Sequence, residues 1–262
     1  MKIKALIIAL AISLHVFADD TIKYVNNAAS IGFGKSNISF LSPITYTTCA
    51  VGFTNQKTNV FPNKEKIFFY KTEMGLHANV NQNIMFDVSA DALWGQYHTI
   101  SYVPASAFNL YVGYAYWGDG GVYIKPDNIN NVLYTHINNM AAMVIVASKH
   151  YRNMYFKNTF SMPLYGVYYG SSFSQNIPGI IEKENTIWEA CKFGSFNINT
   201  QLSNNFTFDI RIKHKKTKCQ TLRIEYSIEY AKLQLNNNVK QTVLHEFKFS
   251  TLINKSFYNH EF

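Results

Sequence analysis

Charge is scarce in this chain: only 15% of its 262 residues are Asp, Glu, Lys or Arg, while 47% are hydrophobic and 16% aromatic. Such a balance excludes a disordered or collagen-like protein. Cysteine is rarer still, and Cys49, Cys191 and Cys219 show no Cys-x-x-Cys spacing. Zinc and redox motifs are therefore missing, and an odd set of thiols reads as incidental rather than as a disulfide framework. Downstream of Ala18 nothing reaches the ~18 consecutive apolar residues of a spanning helix. Gly118-Asp119-Gly120-Gly121 lacks the GxGxxG or Gly-Lys-Ser/Thr context of a phosphate loop and reads as a tight turn. No metal-ligand spacing occurs among the His, Cys and acidic residues, so neither a metal nor another cofactor is expected.

What is present begins with Met1 to Ala18, in which Lys2 and Lys4 precede the apolar run Ala5 to Phe17 and the ending Val16-Phe17-Ala18. This pattern predicts a secretory signal peptide over residues 1–18, followed by a single domain over residues 19–262. An uncleaved anchor would need about 20 apolar residues, more than the run supplies. Loss of Lys2 and Lys4 would reduce the formal charge of +8 but leave the chain basic. Cys49, the first cysteine, lies too far from Ala18 to be an acylated amino terminus. An exported chain has little access to nucleic acid, and none is expected as a partner.

The dominant signal is strict alternation. Phe206, Phe208, Ile210 and Ile212 oppose Thr207, Asp209, Arg211 and Lys213; Leu222, Ile224, Tyr226, Ile228 and Tyr230 oppose Thr221, Arg223, Glu225, Ser227 and Glu229. The same device places Lys71, Glu73 and His77 on one face of their segment and Asp87, Ser89 and Asp91 on one face of the next. It predicts strands over Ala29 to Phe40, Ile44 to Thr54, Lys66 to Val80, Ile84 to Trp94, Phe108 to Trp117, Gly121 to Leu133, Asn139 to Lys149, Met154 to Met162, Ala190 to Leu202, Phe206 to His214, Gln220 to Lys232 and Val243 to Ile253. Turn-tolerant residues such as Gly118 to Gly120 and Asn204-Asn205 separate them.

Alternation suits either a soluble periplasmic sandwich with its apolar face inward or a membrane barrel with that face outward. Strand lengths near the 9 to 11 residues that cross a bilayer at a tilt, abundant aromatics, and the ending Tyr258, His260, Phe262 favour the barrel. The expected fold is all-β: one antiparallel transmembrane-type β-barrel of about twelve strands, with ten as the alternative. With both termini in the periplasm, the twelve-strand count puts the short connections outside, the reverse of the usual arrangement. A single miscounted strand would account for that.

The segments Ser30-Ile31-Gly32-Phe33-Gly34-Lys35-Ser36, Leu41-Ser42-Pro43-Ile44-Thr45-Tyr46, Gly120-Gly121-Val122-Tyr123 with Asn130-Asn131, and Met162-Pro163-Leu164-Tyr165-Gly166-Val167 with Tyr169-Gly170-Ser171-Ser172 carry a resemblance. In order and spacing they resemble an uncharacterised family of exported Gram-negative proteins, a domain of unknown function. The resemblance implies an outer-membrane-type barrel and brings no catalytic residues. Ile177-Pro178-Gly179 departs from it, where a more aromatic and acidic run is expected.

Barrels of this size include lipases and acyl transferases, whose chemistry needs a nucleophile, a base and an orienting group in hydrogen-bond reach. No His-x-Ser-Asn-Gly-like run occurs. No catalytic residue is assigned. The candidate cluster is instead a set of lumen charges: Lys71, Glu73, His77, Asp87, Asp91, Asp209, Arg211, Arg223, Glu225 and Glu229. Inward acids and bases nearly balance, which predicts a paired, plugged interior in an outer-membrane protein that is structural or narrowly channel-like. The alternatives are a barrel that binds or processes a lipid or polysaccharide at its mouth and a soluble sandwich. Expected partners are outer-membrane lipid, lipopolysaccharide and, during insertion, the barrel-assembly machinery. The basic run Lys213, His214, Lys215, Lys216, Lys218 suits a solvated hairpin tip, or attraction to lipopolysaccharide phosphates.

Two finer expectations concern pairing. Arg211 can sit opposite Thr221, Arg223 or Glu225; the middle register sets like charges together, so Asp209 or Arg211 should gain an oppositely charged partner across the hairpin. Cys191 and Cys219 should lie about 9 to 10 Å apart at one end of the sheet. That exceeds the roughly 7 Å limit for a disulfide.

Overall fold

The computed structural model describes residues 22–38, 42–61, 64–81, 83–101, 108–126, 132–174, 191–195, 198–213, 219–235 and 238–254. Every regular element among them is a strand: β1 (Ile22–Ile38), β2 (Ser42–Val60), β3 (Lys64–Ala78), β4 (Ile84–Ser101), β5 (Asn109–Lys125), β6 (Val132–Tyr151), β7 (Met154–Ser174), β8 (Cys191–Gly194), β9 (Asn199–Lys213), β10 (Cys219–Leu235) and β11 (Asn238–Asn254). Alternation drives most of them, since period two is the only backbone geometry that sorts two residue sets onto opposite faces; β6 is instead apolar on both faces over Met140 to Ala147. Apart from β8, they run from 15 residues in β3 and β9 to 21 in β7. They are longer than a tilted bilayer crossing requires.

Each strand pairs antiparallel with its chain neighbour, β11 returns to β1, and β7 pairs with β9. Ten strands therefore close into a barrel, with β8 outside that count. Short β8 lies on the same edge of β7 as β9, further along: Ser161 pairs with Ser203, but Gly166 pairs with Gly194. The chain loops out between them. On its other edge β7 carries a bulge against β6 at Ala141/Ala142, where Pro163 and Tyr165 flank the unpaired Leu164. A proline at a bulge costs no ladder hydrogen bond.

Two expectations need correction. The count is ten, not twelve, because two presumed turns are strand interior. Gly118, Asp119, Gly120 and Gly121 pair in β5 with Ala92 to Ser89 on one side and Asn139 to His136 on the other. Likewise, Asn204 and Asn205 pair with Ile228 and Ser227. The revised count eases the loop paradox only in part: the longest connection, from β7 through β8 to β9, falls opposite the end where β1 begins and β11 ends, while the other connections at that end stay short. Barrels carry their long loops outside and their termini in the periplasm. In an outer-membrane barrel that arrangement would turn the terminal end toward the periplasm; the opposite end is termed distal. The thiol geometry was also misplaced. Cys191 pairs with Tyr169 toward the distal end, whereas Cys219 pairs with Lys213 at the terminal end. Cys191 is a free thiol, kept from Cys219 by the length of the barrel rather than by an intervening strand.

The faces decide between sandwich and barrel. Glu246 is 0% exposed, and Lys71, Asp87, His77, Asp209 and Arg223 are buried with it, whereas Met74 is 62% and Phe249 54% exposed, beside Phe33, Phe53, Val88 and Phe86. Polar groups fill the inside and large apolar side chains cover the outside, the inverse of a soluble protein. The soluble-sandwich alternative is thereby overturned. One interior wall is an exception: Leu93, Tyr97, Ala115, Trp117, Met140, Ala142, Val144 and Val146 of β4, β5 and β6 form an apolar cluster with Tyr168 and Leu233.

Candidate functional site

The chemistry of this molecule is in its lumen. Toward the distal end, four strands build one buried network around His77. Its Nε2 lies 2.6 Å from Asp87 Oδ1, and the hydroxyls of Ser36 and Thr48 each lie 2.8 Å from Nδ1. Gly75 makes the first contact possible, because a Cβ there would stand 1.9 Å from Asp87 Oδ1. A second His–Asp pair faces it. His136 Nε2 is 3.2 Å from Asp119 Oδ2, Asn138 donates to the same oxygen at 3.0 Å, and Lys240 Nζ is 3.1 Å from Nε2. Tyr123 sits between the imidazoles, its ring centre 5.8 Å from His77 and 5.9 Å from His136, with the Lys240 ammonium 4.8 Å above it.

At mid-height, Lys71 Nζ bridges Glu73 Oε2 at 2.7 Å and Glu246 Oε2 at 3.1 Å; Lys248 and Ser227 reach that Glu246 oxygen at 3.1 and 3.2 Å. Asp91 lies directly across from Lys71 on one side and from Asp119 on the other. Glu229 borders both the distal and the middle cavity. Toward the terminal end, Arg223 grips Asp209 through Nε and NH2, each 2.7 Å from a carboxylate oxygen, and lies 3.6 Å from Glu225. Lys157 bonds Glu65 at that level. Between these contacts lie cavities of about 90, 90 and 300 Å³ from the distal to the terminal end.

The ten expected site residues thus form two groups along the axis rather than one cluster. Lys71, Glu73, His77, Asp87, Asp91 and Glu229 surround the distal cavity, while Asp209, Arg211, Arg223, Glu225 and again Glu229 are set lower. Arg211 stands opposite Thr221, and Asp209 opposite Arg223, one of the two registers favoured by charge pairing. Sequence reasoning missed Glu65, Asp119, His136 and Lys240. Each fell into a presumed turn or just beyond a presumed strand end, although each continues its strand's inward phase.

Ser36, His77 and Asp87 come from different strands, which a search along one strand could not find. Their contacts resemble a nucleophile, base and orienting acid, but two hydroxyls share one imidazole nitrogen and Ser36 is only 1% exposed. The neighbouring cavity of about 90 Å³ has room for a few waters rather than an acyl substrate. Ser36, Thr48, His77 and Asp87 hold one another in a buried hydrogen-bond network, the ordinary arrangement for polar groups inside a barrel. Among the described residues, no group of three or more His, Cys, Asp or Glu is placed to hold a metal ion.

The model of a family described as protein of unknown function (DUF3316) matches residues 3–260. The chain belongs to the DUF3316 family. No curated protein matches this DUF3316 chain. Among solved structures, the outer membrane protease OmpT of Escherichia coli aligns over 92% of this chain and 98% of its own, with 9% identity and a TM-score of 0.57. The translocator domain of the autotransporter NalP of Neisseria meningitidis aligns over 92% of each chain, with 6% identity and a TM-score of 0.43. The likeness to OmpT is one of fold, and the DUF3316 chain shares with it the architecture of outer-membrane β-barrels.

Proposed function

We propose that this protein is exported by a signal peptide over residues 1–18, inserted by the barrel-assembly machinery, and held in the outer membrane against lipid and lipopolysaccharide as a barrel with a plugged lumen. One observation carries this reading: polar bonds straddle the lumen at three heights. Lys240 on β11 meets His136 on β6, four strands away around the ring; Lys71 on β3 meets Glu246 on β11, three away; and Lys157 on β7 meets Glu65 on β3, four away. Bonds between neighbouring strands would line a pore, whereas bonds across the ring obstruct one. Apolar packing by Trp117, Tyr97 and Tyr168 fills part of what remains. A ring of ten strands is only slightly wider than the eight whose interior side chains alone can fill.

Refolded protein in a planar bilayer should show no large, steady conductance. A stable pore of porin size would overturn the plugged-lumen reading.

A further inference from the structure

At the terminal end the lumen widens into the cavity of about 300 Å³. Its charges do not cancel. Glu65, Asp209, Lys157, Arg223, Arg152 and Arg211 border it, together with His150. Lys157 is bound to Glu65, and Arg223 grips both oxygens of Asp209. Arg152 and Arg211 are left, and the lining offers no third carboxylate to neutralise them. Among the described residues, the terminal cavity is therefore bordered by more cations than acids.

Local backbone geometry maintains the surplus. Arg152 occupies the two-residue turn between β6 and β7 with a φ of 54°, a conformation that favours glycine. A two-residue hairpin turn requires a positive φ at this position. Its guanidinium stacks 5.4 Å over the Tyr151 ring. The next residue, Asn153, accepts a 2.9 Å hydrogen bond from the Arg211 backbone N–H, which ties the two cation-bearing segments together. The remaining wall is mixed: Tyr24, Tyr111 and Tyr155 border the cavity with Met154 and Leu252, among polar Gln56, Thr58, Asn109, Ser148, Asn153 and Thr221, and Tyr155 packs on His150 at 4.4 Å between ring centres. An apolar cavity of roughly 150 Å³ admits benzene. This one has space for such a ring and a charged group.

We propose that this cavity binds a small soluble aromatic carboxylate from the periplasmic side, the carboxylate on Arg211 and the ring among Tyr24, Tyr111 and Tyr155. Guanidinium matches carboxylate as a two-pronged donor, which makes Arg211 the anchor, with Arg152 adding charge at the rim. This goes beyond the plugged lumen, because the pocket needs no passage through the barrel.

The test uses refolded full-length protein in a zwitterionic detergent, with 4-fluorobenzoate as the probe followed by fluorine NMR line broadening. Saturable binding is expected, weakened tenfold or more by Arg211→Gln and by replacing the probe with neutral 4-fluorobenzyl alcohol. Heat-modifiable gel mobility establishes that each variant is folded. Should Arg211→Gln not fold, Arg152→Gln serves instead, with at least a threefold loss expected. Absence of saturable binding, or equal binding by the folded variants, would overturn the proposal. So would displacement of the probe by equimolar inorganic phosphate, which would denote a bare anion site, or by equimolar short-chain phosphatidylglycerol, which would assign the cavity to a lipid headgroup. Conductance plays no part in these outcomes, so failure here is separable from failure of the plugged-lumen reading.

Discussion

Gly75 shows how much a missing side chain can determine. Its Cα faces the lumen so closely to Asp87 that any Cβ would displace the carboxylate from His77. Gly75→Ala should therefore destabilise the barrel by about 1–3 kcal/mol. Most of that cost should vanish in an Asp87→Ala background, where only the His77 Nε2, 3.2 Å from the added Cβ, remains close; a double-mutant cycle of denaturant unfolding in detergent measures the coupling. Asp209→Ala leaves the Arg223 guanidinium with Glu225 at 3.6 Å as its remaining acid and should cost about 3 kcal/mol, at the low end for a broken buried pair. In the same unfolding assay, an Asp209→Leu, Arg223→Met double variant should recover most of it. The Asp209–Arg223 pair was legible in the sequence, since charge alternation on two adjacent segments left few registers. The Gly75–Asp87 fit was not, because close approach of a backbone to a carboxylate leaves no periodic trace.

At the scale of the strand, local turn chemistry competed with phase, and phase won. Ala115, Trp117, Asp119, Gly121 and Tyr123 all keep the same parity and all face inward, straight through the glycines that suggested a turn. Gln201, Ser203, Asn205 and Thr207 do the same through Asn204-Asn205. By contrast, the genuine two-residue turn at Arg152-Asn153 reverses parity, from Ser148 inward on β6 to Tyr155 inward on β7. Parity alone does not separate turn from strand, since His77 on β3 and Met85 on β4 both face inward at odd positions across a genuine turn; the cue is polar and apolar alternation that runs on without a gap. The two-sided pairing of Gly118 to Gly121 predicts amide hydrogens protected from exchange to the same degree as those of Trp117 and Tyr123. Exchange as fast as in an open loop would contradict a continuous β5. The detachment of β8 from β9 was not readable, since it depends on where β7 offers its edge.

For the molecule as a whole, the inverted distribution of polarity makes the surface itself testable. Cys49 points outward on β2, exposed, opposite Phe33 on β1 and Leu76 on β3 in the pairing ladder. In native outer-membrane vesicles an apolar maleimide should label it, and a sulfonated, water-confined maleimide should not. Rapid labelling by both reagents would mean that this belt faces water. The inside-out sign of the alternation could not be read from spacing alone, because a sandwich and a barrel write the same pattern. Only closure of the ring tells which face has an interior.

The apolar wall of the lumen has a consequence before the barrel exists. Met140 to Ala147 is apolar at every position, because β6 meets the interior cluster with one face and the belt with the other. In the unfolded chain that stretch carries no charge, proline or glycine to interrupt it, and Val144-Ile145-Val146 favours extended structure. Segments of this composition self-associate as stacked strands. Until the barrel closes, this octet would need shielding from water and from other copies of itself. The same residues that fill the barrel therefore make its biogenesis the most aggregation-sensitive stage in the life of the protein.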